Sequence, residues 1–131
     1  MSDRKRILFV DDEARILEGL RRMLRVMRSQ WDMMFAGSAA EALQELETRP
    51  YDVIVSDMRM PGMHGADLLE SVKRKYPRMV RIALSGQTSK EEVLRTVGPV
   101  HQYLPKPCDA DTLKATITRV CSFREILVNP R

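Results

Sequence analysis

Residues 51–65, YDVIVSDMRMPGMHG, decide how this chain folds. Val53, Ile54 and Val55 are β-branched and apolar at every position rather than at alternate ones, the pattern of a strand covered on both faces. The run stops at Asp57. An ionised carboxylate is almost never left inside a core without a partner, so this strand is expected to end at a surface cleft. Pro61, Gly62 and Gly65 then signal an irregular turn ahead of a helix. An acid at the carboxyl end of a buried parallel strand stands where open α/β sheets bind ligands.

Upstream, Ile7 to Val10 is a second apolar run that also ends on acids, Asp11, Asp12 and Glu13. From Ala14 to Met27 the apolar positions Ile16, Leu17, Leu20, Met23, Leu24 and Met27 recur at helical spacing and predict one buried stripe, with Arg21, Arg22, Arg25 and Arg28 beside it as a solvated face. Trp31 to Ala36 reads as a strand with poor alternation. Ser38 followed by Glu41 is a capping box, in which each side chain satisfies a backbone N–H at a helix start. Leu68, Leu69 and Val72 mark a third helix stopped by Pro77, and residues 79–84 a fourth strand ending at Ser85 and Gly86. Ser89 with Glu92 opens another helix, Gln102 to Leu104 is a short strand running into Pro105, Lys106 and Pro107, and Asp109 caps the last helix. Five repetitions of strand then helix, with strands too apolar to face water and connections too long for hairpins, predict a doubly wound five-stranded parallel α/β sheet.

At 131 residues the chain is long enough for one core and short for two. Its 44% hydrophobic and 31% charged residues are those of an ordinary globular protein. The net charge of +4 permits a nucleic-acid partner, but no compact basic run interleaved with aromatics indicates one. The apolar run near the N-terminus is too short for a signal sequence or membrane span, which points to a cytoplasmic protein without membrane contact. Cys108 and Cys121 lack metal-ligand spacing and read as reduced thiols.

In a parallel sheet all strand ends of one polarity share a rim, and here they offer Asp11, Asp12, Asp57, Ser85 and Lys106. Converging carboxylates repel by roughly 4 kcal/mol per pair at 4 Å in a near-surface dielectric, so such a cluster calls for a cation. Oxygen ligands without His or Cys favour a hard ion, and Mg²⁺ suits one or two carboxylates with waters retained. A carboxylate nucleophile, Mg²⁺, an ammonium and a hydroxyl together describe a phosphoryl acceptor.

FVDDEARIL at 9–17, VSDMRMPGMHG at 55–65, ALSG at 83–86 and YLPKP at 103–107, in that order and spacing, resemble the receiver domain of two-component response regulators from about Arg6 to Val120. The resemblance implies the flavodoxin-like (βα)5 fold with strand order 2-1-3-4-5. It also implies that Asp57 accepts a phosphoryl group from the phosphohistidine of a sensor histidine kinase or phosphotransfer protein. Asp12, Asp57 and the backbone carbonyl of Arg59 would bind Mg²⁺ directly and Asp11 through water. Ser85 and Lys106 would contact phosphoryl oxygens, and Ser85 and Tyr103 would form the switch. Output would pass through the face built from the helix after Ser89, the fifth strand and the last helix. Such a protein promotes its own phosphorylation and dephosphorylation and turns over no separate substrate.

Three other readings are weaker. A phosphatase of the haloacid dehalogenase type wants a second acid two residues after its nucleophile, where this chain has Arg59. A flavodoxin-like cofactor binder wants Ser, Thr and Gly donors in its first loop, where this chain has acids. A degenerate receiver, used only for protein contacts, would not keep all five positions filled. The receiver is expected over residues 1–124, with 125–131 a helical tail leading towards a linker and a downstream output domain or protein. The style of the last segment resembles receivers joined to HD-type phosphodiesterase outputs. Homodimerisation through the last two helices is compatible with the sequence, and no nucleic-acid contact is expected from this domain itself.

Arg59 and Gln87 lie two residues beyond Asp57 and Ser85, flanking the path by which water would reach a phosphoaspartate, and their long polar side chains are predicted to set its lifetime. Replacing both by Ala should change the rate of phosphate loss from the phosphorylated protein; an unchanged half-life would remove them from that role.

Overall fold

The computed structural model describes residues 4–58, 65–85, 102–105 and 109–128, with the backbone alone at 66, 85, 105 and 123–128. In chain order the elements are β1 (Lys5–Val10), α1 (Ala14–Met23), a 3₁₀ turn (Arg25–Met27), β2 (Trp31–Ala36), α2 (Ala39–Thr48), β3 (Val53–Asp57), α3 (Gly65–Lys75), β4 (Val80–Ser85), β5 (Gln102–Pro105) and α4 (Ala110–Val128). The strands form one sheet in the order β2-β1-β3-β4-β5, every neighbouring pair parallel. The expected flavodoxin-like order is therefore the observed one. The helix expected after Ser89, with its Ser89–Glu92 cap, lies outside the described residues, as does Cys108.

Successive strand residues point to opposite faces, and each strand feeds two cores. Ile7 and Phe9 of β1 and Val53 and Val55 of β3 pack with Leu20, Leu24, Leu113, Ile117 and Cys121, from the α1 and α4 side. Leu8, Val10 and Ile54 pack with Ala42, Leu46, Leu68 and Val72, from the α2 and α3 side. All five residues of β3 are buried, as its unbroken apolar run predicts. Full burial of each Leu, Ile or Phe contributes roughly 1.5–3 kcal/mol, against about 1 kcal/mol for a helix cap, so the two faces of the sheet govern the fold. Cys121 is buried and fills the first of these cores.

Three local expectations are corrected or refined. The helix predicted to run from Ala14 to Met27 ends at Met23, and the chain tightens into the 3₁₀ turn with the Met27 N–H donating to the Leu24 carbonyl at 2.9 Å. That turn keeps Leu24 and Met27 inward but leaves Met23 40% exposed, so Met23 leaves the buried stripe. Glu41 does take part in the α2 start, where the Glu41 N–H donates to Ser38 Oγ at 3.1 Å. Its carboxylate, however, accepts from the N–H of Gly37, one residue earlier than a capping box requires. Arg21 is not simply solvated, because its guanidinium lies 4.9 Å over the Phe35 ring, which in turn stacks on Phe9 at 5.1 Å. The poor alternation of β2 follows from its edge position, with its four central residues only half buried.

α4 passes position 124 without a break and continues to Val128, so the segment expected as a tail begins as helix. No helix among the described residues is long and apolar enough to cross a membrane.

The start of α4 yields a test of pH dependence. The Thr112 N–H donates to Asp109 Oδ1 at 2.7 Å, and this hydrogen bond holds the Asp109 carboxyl below its ordinary value of 3.8. A carboxyl lowered on folding stabilises fully above its unfolded value, and that contribution disappears as pH falls through the folded value. Because Asp109 is exposed, the effect is small and screened by salt. Asp109→Asn keeps the cap without the charge, so chemical unfolding at low salt should show the wild type more stable than the variant at neutral pH. The difference should close on acidification below pH 3.8; a gap that stays constant into acid would contradict this account.

Candidate functional site

The parallel register builds the site before any side chain is considered. β1 and β3 pair with Val10 opposite Ser56, so Asp11, next in the chain, comes level with Asp57. Asp57 is opposite Leu84 of β4, and Ser85, the last residue of β4, is opposite Pro105, the last of β5. β5 thus ends on the rim that carries Asp57, and Lys106 is the next residue in the chain. Lys106 itself lies outside the described residues, as do Arg59 and Gln87, and of Ser85 the backbone alone is described.

Asp11, Asp12 and Asp57 each offer a carboxylate oxygen, all within 4.8 Å of one another. Asp11 is completely buried and Asp57 is 5% exposed, while Asp12 faces solvent. The Asp11 N–H donates to the Ala36 carbonyl at 3.1 Å, which ties the end of β1 to β2. Asp11 Oδ1 accepts the Glu13 N–H at 2.9 Å and so shapes the turn into α1. Two buried carboxylates and a third at the mouth repel by roughly 4 kcal/mol per pair at 4 Å, a cost that a divalent cation removes. The donors are all oxygen and their spacing lets them share one ion, so the residues present fit Mg²⁺.

The main chain around Asp57 is held on several sides. The Ser56 hydroxyl donates to the Asp57 carbonyl at 3.0 Å. The Met58 N–H donates to the Leu84 carbonyl at 3.1 Å and the Gly65 N–H to the Met58 carbonyl at 3.0 Å. A Cβ at Gly65 would overlap the Asp57 carbonyl oxygen and come within 2.8 Å of Met58 Cα. Gly65, read above as a turn residue, is therefore the first residue of α3 and the point where that helix presses on the back of the site. In the sequence Ser56 reads only as part of the strand. The signal for it was a hydroxyl at a fully buried position of an otherwise apolar run. Met58 packs into the core.

Tyr103 of β5 is half buried against the core on the α2 and α3 side, and this burial pushes its phenol pKa up. A neutral ring of this kind can change position at less cost than a charged one.

The chain matches the response regulator receiver domain family over residues 7–118. It is 38% identical over 120 residues to the hydrogenase transcriptional regulatory protein HoxA of Cupriavidus necator, a match that covers 89% of this chain and 24% of the relative. The chain thus spans about a quarter of that relative's length. Among solved structures it resembles the signal receiver domain of an HD domain-containing protein from Pseudomonas fluorescens Pf-5, with 30% identity, a TM-score of 0.87 and coverage of 93% of this chain and 98% of the other. A CheY-like receiver domain protein from Methanospirillum hungatei JF-1 is 27% identical with a TM-score of 0.87, covering 94% and 98%.

Because the atoms behind Gly65 are backbone and cannot swing aside, Gly65→Ala should destabilise the domain by about 1–3 kcal/mol, the usual cost of overpacking. Urea unfolding measures this directly. A change below about 0.5 kcal/mol, typical of unconstrained surface sites, would show that the close approach of α3 is not required.

Proposed function

Because this chain belongs to the response regulator receiver domain family, we propose that it is a phosphorylation switch whose phosphoacceptor is Asp57. The observation that carries this reading is the Asp57 carboxylate, at the carboxyl end of a strand buried on both faces, with oxygens of Asp11 and Asp12 within 4.8 Å. The ion would be held directly by Asp12, Asp57 and the backbone carbonyl of Arg59. Asp11, already accepting the Glu13 N–H, would act through water. When bound, Mg²⁺ supplies charge neutralisation to the carboxylates and to the phosphoryl oxygens.

An Asp57 carboxylate oxygen attacks phosphorus in the phosphohistidine of a sensor kinase or phosphotransfer protein. The new P–O bond forms as the P–N bond breaks, and the imidazole leaves with the bonding pair and takes its proton from solvent. Little acid–base help is needed, so catalysis consists of positioning and electrostatics. The Lys106 ammonium offsets charge on the transferring group, and the Ser85 hydroxyl donates to a phosphoryl oxygen. Once Ser85 is drawn to the phosphoryl group, Tyr103 moves into the space it leaves, and the face of β5, α4 and the helix expected after Ser89 changes shape. Phosphorylation can shift this equilibrium only by its differential interaction with the two states. Arg59 and Gln87 govern hydrolysis of the acyl phosphate.

On this reading the chain is a cytoplasmic phosphoprotein of a two-component system and turns over no substrate besides its own aspartyl phosphate. Its partners are a kinase upstream and an output domain or protein downstream, with a homodimer as one form of output. One relative is named a transcriptional regulatory protein and one neighbour comes from an HD domain-containing protein. A switch that hands its state to a following segment or partner suits both.

Incubation with Mg²⁺ and a small phosphoramidate donor should add one phosphoryl group, released by hydroxylamine as expected of an acyl phosphate and mapped to Asp57 by mass spectrometry. Asp57→Asn or chelation of Mg²⁺ should abolish the modification, and Lys106→Ala should slow it by about 10²-fold or more, the scale of losing one electrostatic contact to the reacting group. Label that survives in Asp57→Asn, or no label and no beryllofluoride binding in the wild type, would refute the proposal.

A further inference from the structure

Ser56 precedes the phosphoacceptor and is completely buried. Its register partners, Val10 of β1 and Ala83 of β4, belong to the apolar core on the α2 and α3 side. Alanine or valine would fill such a place by packing alone, and a hydroxyl is tolerated there only if it is hydrogen-bonded. Its partner is the Asp57 carbonyl, 3.0 Å away. The other end of the same peptide unit, the Met58 N–H, is taken by the Leu84 carbonyl at 3.1 Å. The peptide that follows Asp57 is thus fixed at both ends, once by the main chain of β4 and once by a side chain. From there the Met58 carbonyl accepts the Gly65 N–H at 3.0 Å, so the chain enters the segment beginning at Arg59 from a fixed point.

We infer that Ser56 is a positioning residue for the divalent-ion pocket: its hydroxyl sets the plane of the peptide between Asp57 and Met58. That plane governs the aim of the Asp57 carboxylate and the direction in which the chain continues into Met58. The inference rests on the receiver reading above. Mg²⁺ is the ion for which this control matters most, because it demands near-ideal octahedral geometry at short distances and tolerates little displacement of a ligand. Ser56 touches neither ion nor phosphoryl group and acts through Asp57.

Calorimetric titration of the full chain with Mg²⁺ tests this, using wild type, Ser56→Ala and Ser56→Cys, the last close in volume but a weak donor. Removing one hydrogen bond that orients a ligand should raise the Kd for Mg²⁺ about three- to tenfold in Ser56→Ala. Ser56→Cys should fall between, more than about twofold above wild type. A residue that only packs would lower the thermal midpoint in the absence of metal and leave the ion affinity of the folded protein unchanged. Kd values within about twofold of wild type in both variants overturn the inference. If Ser56→Ala does not fold, Ser56→Cys decides by the same criterion. Absence of saturable Mg²⁺ binding in the wild type is a separate outcome, which removes the receiver reading and this inference with it.

Discussion

A charge at the end of a strand that is buried on both faces has only the rim of the sheet to occupy. β3 lies between β1 and β4 with no water on either side, so Asp57 meets Asp11 and Asp12 at that rim instead of a polar surface. Three carboxylates at such spacing are stable together only with positive charge supplied from outside the cluster. The tension between a dry sheet and acidic strand ends is the condition on which the rest of the site depends. Oxygen donors at this spacing suit a hard cation, and the proposed phosphoryl chemistry starts from that condition.

The frame behind the acids is built chiefly from main chain. Parallel pairing brings the ends of β1, β3, β4 and β5 to one level, and the first residue of α3 is pressed against Asp57, with no room for a Cβ. The stack of Arg21, Phe35 and Phe9 braces α1 and β2 against β1 directly below the acidic turn. Because both faces of the sheet are packed with fully buried side chains, the strand ends cannot drift, and close packing of this kind moves between discrete arrangements rather than deforming continuously. Tyr103 of β5 stands half buried against the core on the α2 and α3 side of this frame.

The strands were legible because continuous runs such as Val53 to Val55 have few alternatives once flanking turns are recognised. The helix boundaries were less so. Periodicity carried the first helix on to Met27, since Leu24 and Met27 still point inward after the helix has become a 3₁₀ turn; only the main-chain hydrogen bonds distinguish the two. The Ser38 cap was readable from residue type, whereas the reach of Glu41 to Gly37 depends on how the β2–α2 connection turns. β2 was ambiguous because its two ends are buried and its four central residues are all half buried, which blurs alternation.

By itself the sequence determined the class of fold, the strand ends that carry acids, and the chemistry those acids call for, since each follows from local residue type and period. Parallel polarity also follows from connections too long for hairpins. Only the tertiary structure decided that Asp11 is the buried acid and Asp12 the exposed one, because that depends on which side of the β1 end the neighbouring strands cover. The same is true of the Ser56 hydroxyl and Gly65, whose importance comes from what stands next to them in space. A carbonyl eight residues earlier in the chain approaches Gly65 too closely for a side chain, and no sequence window of helical or strand period records that distance.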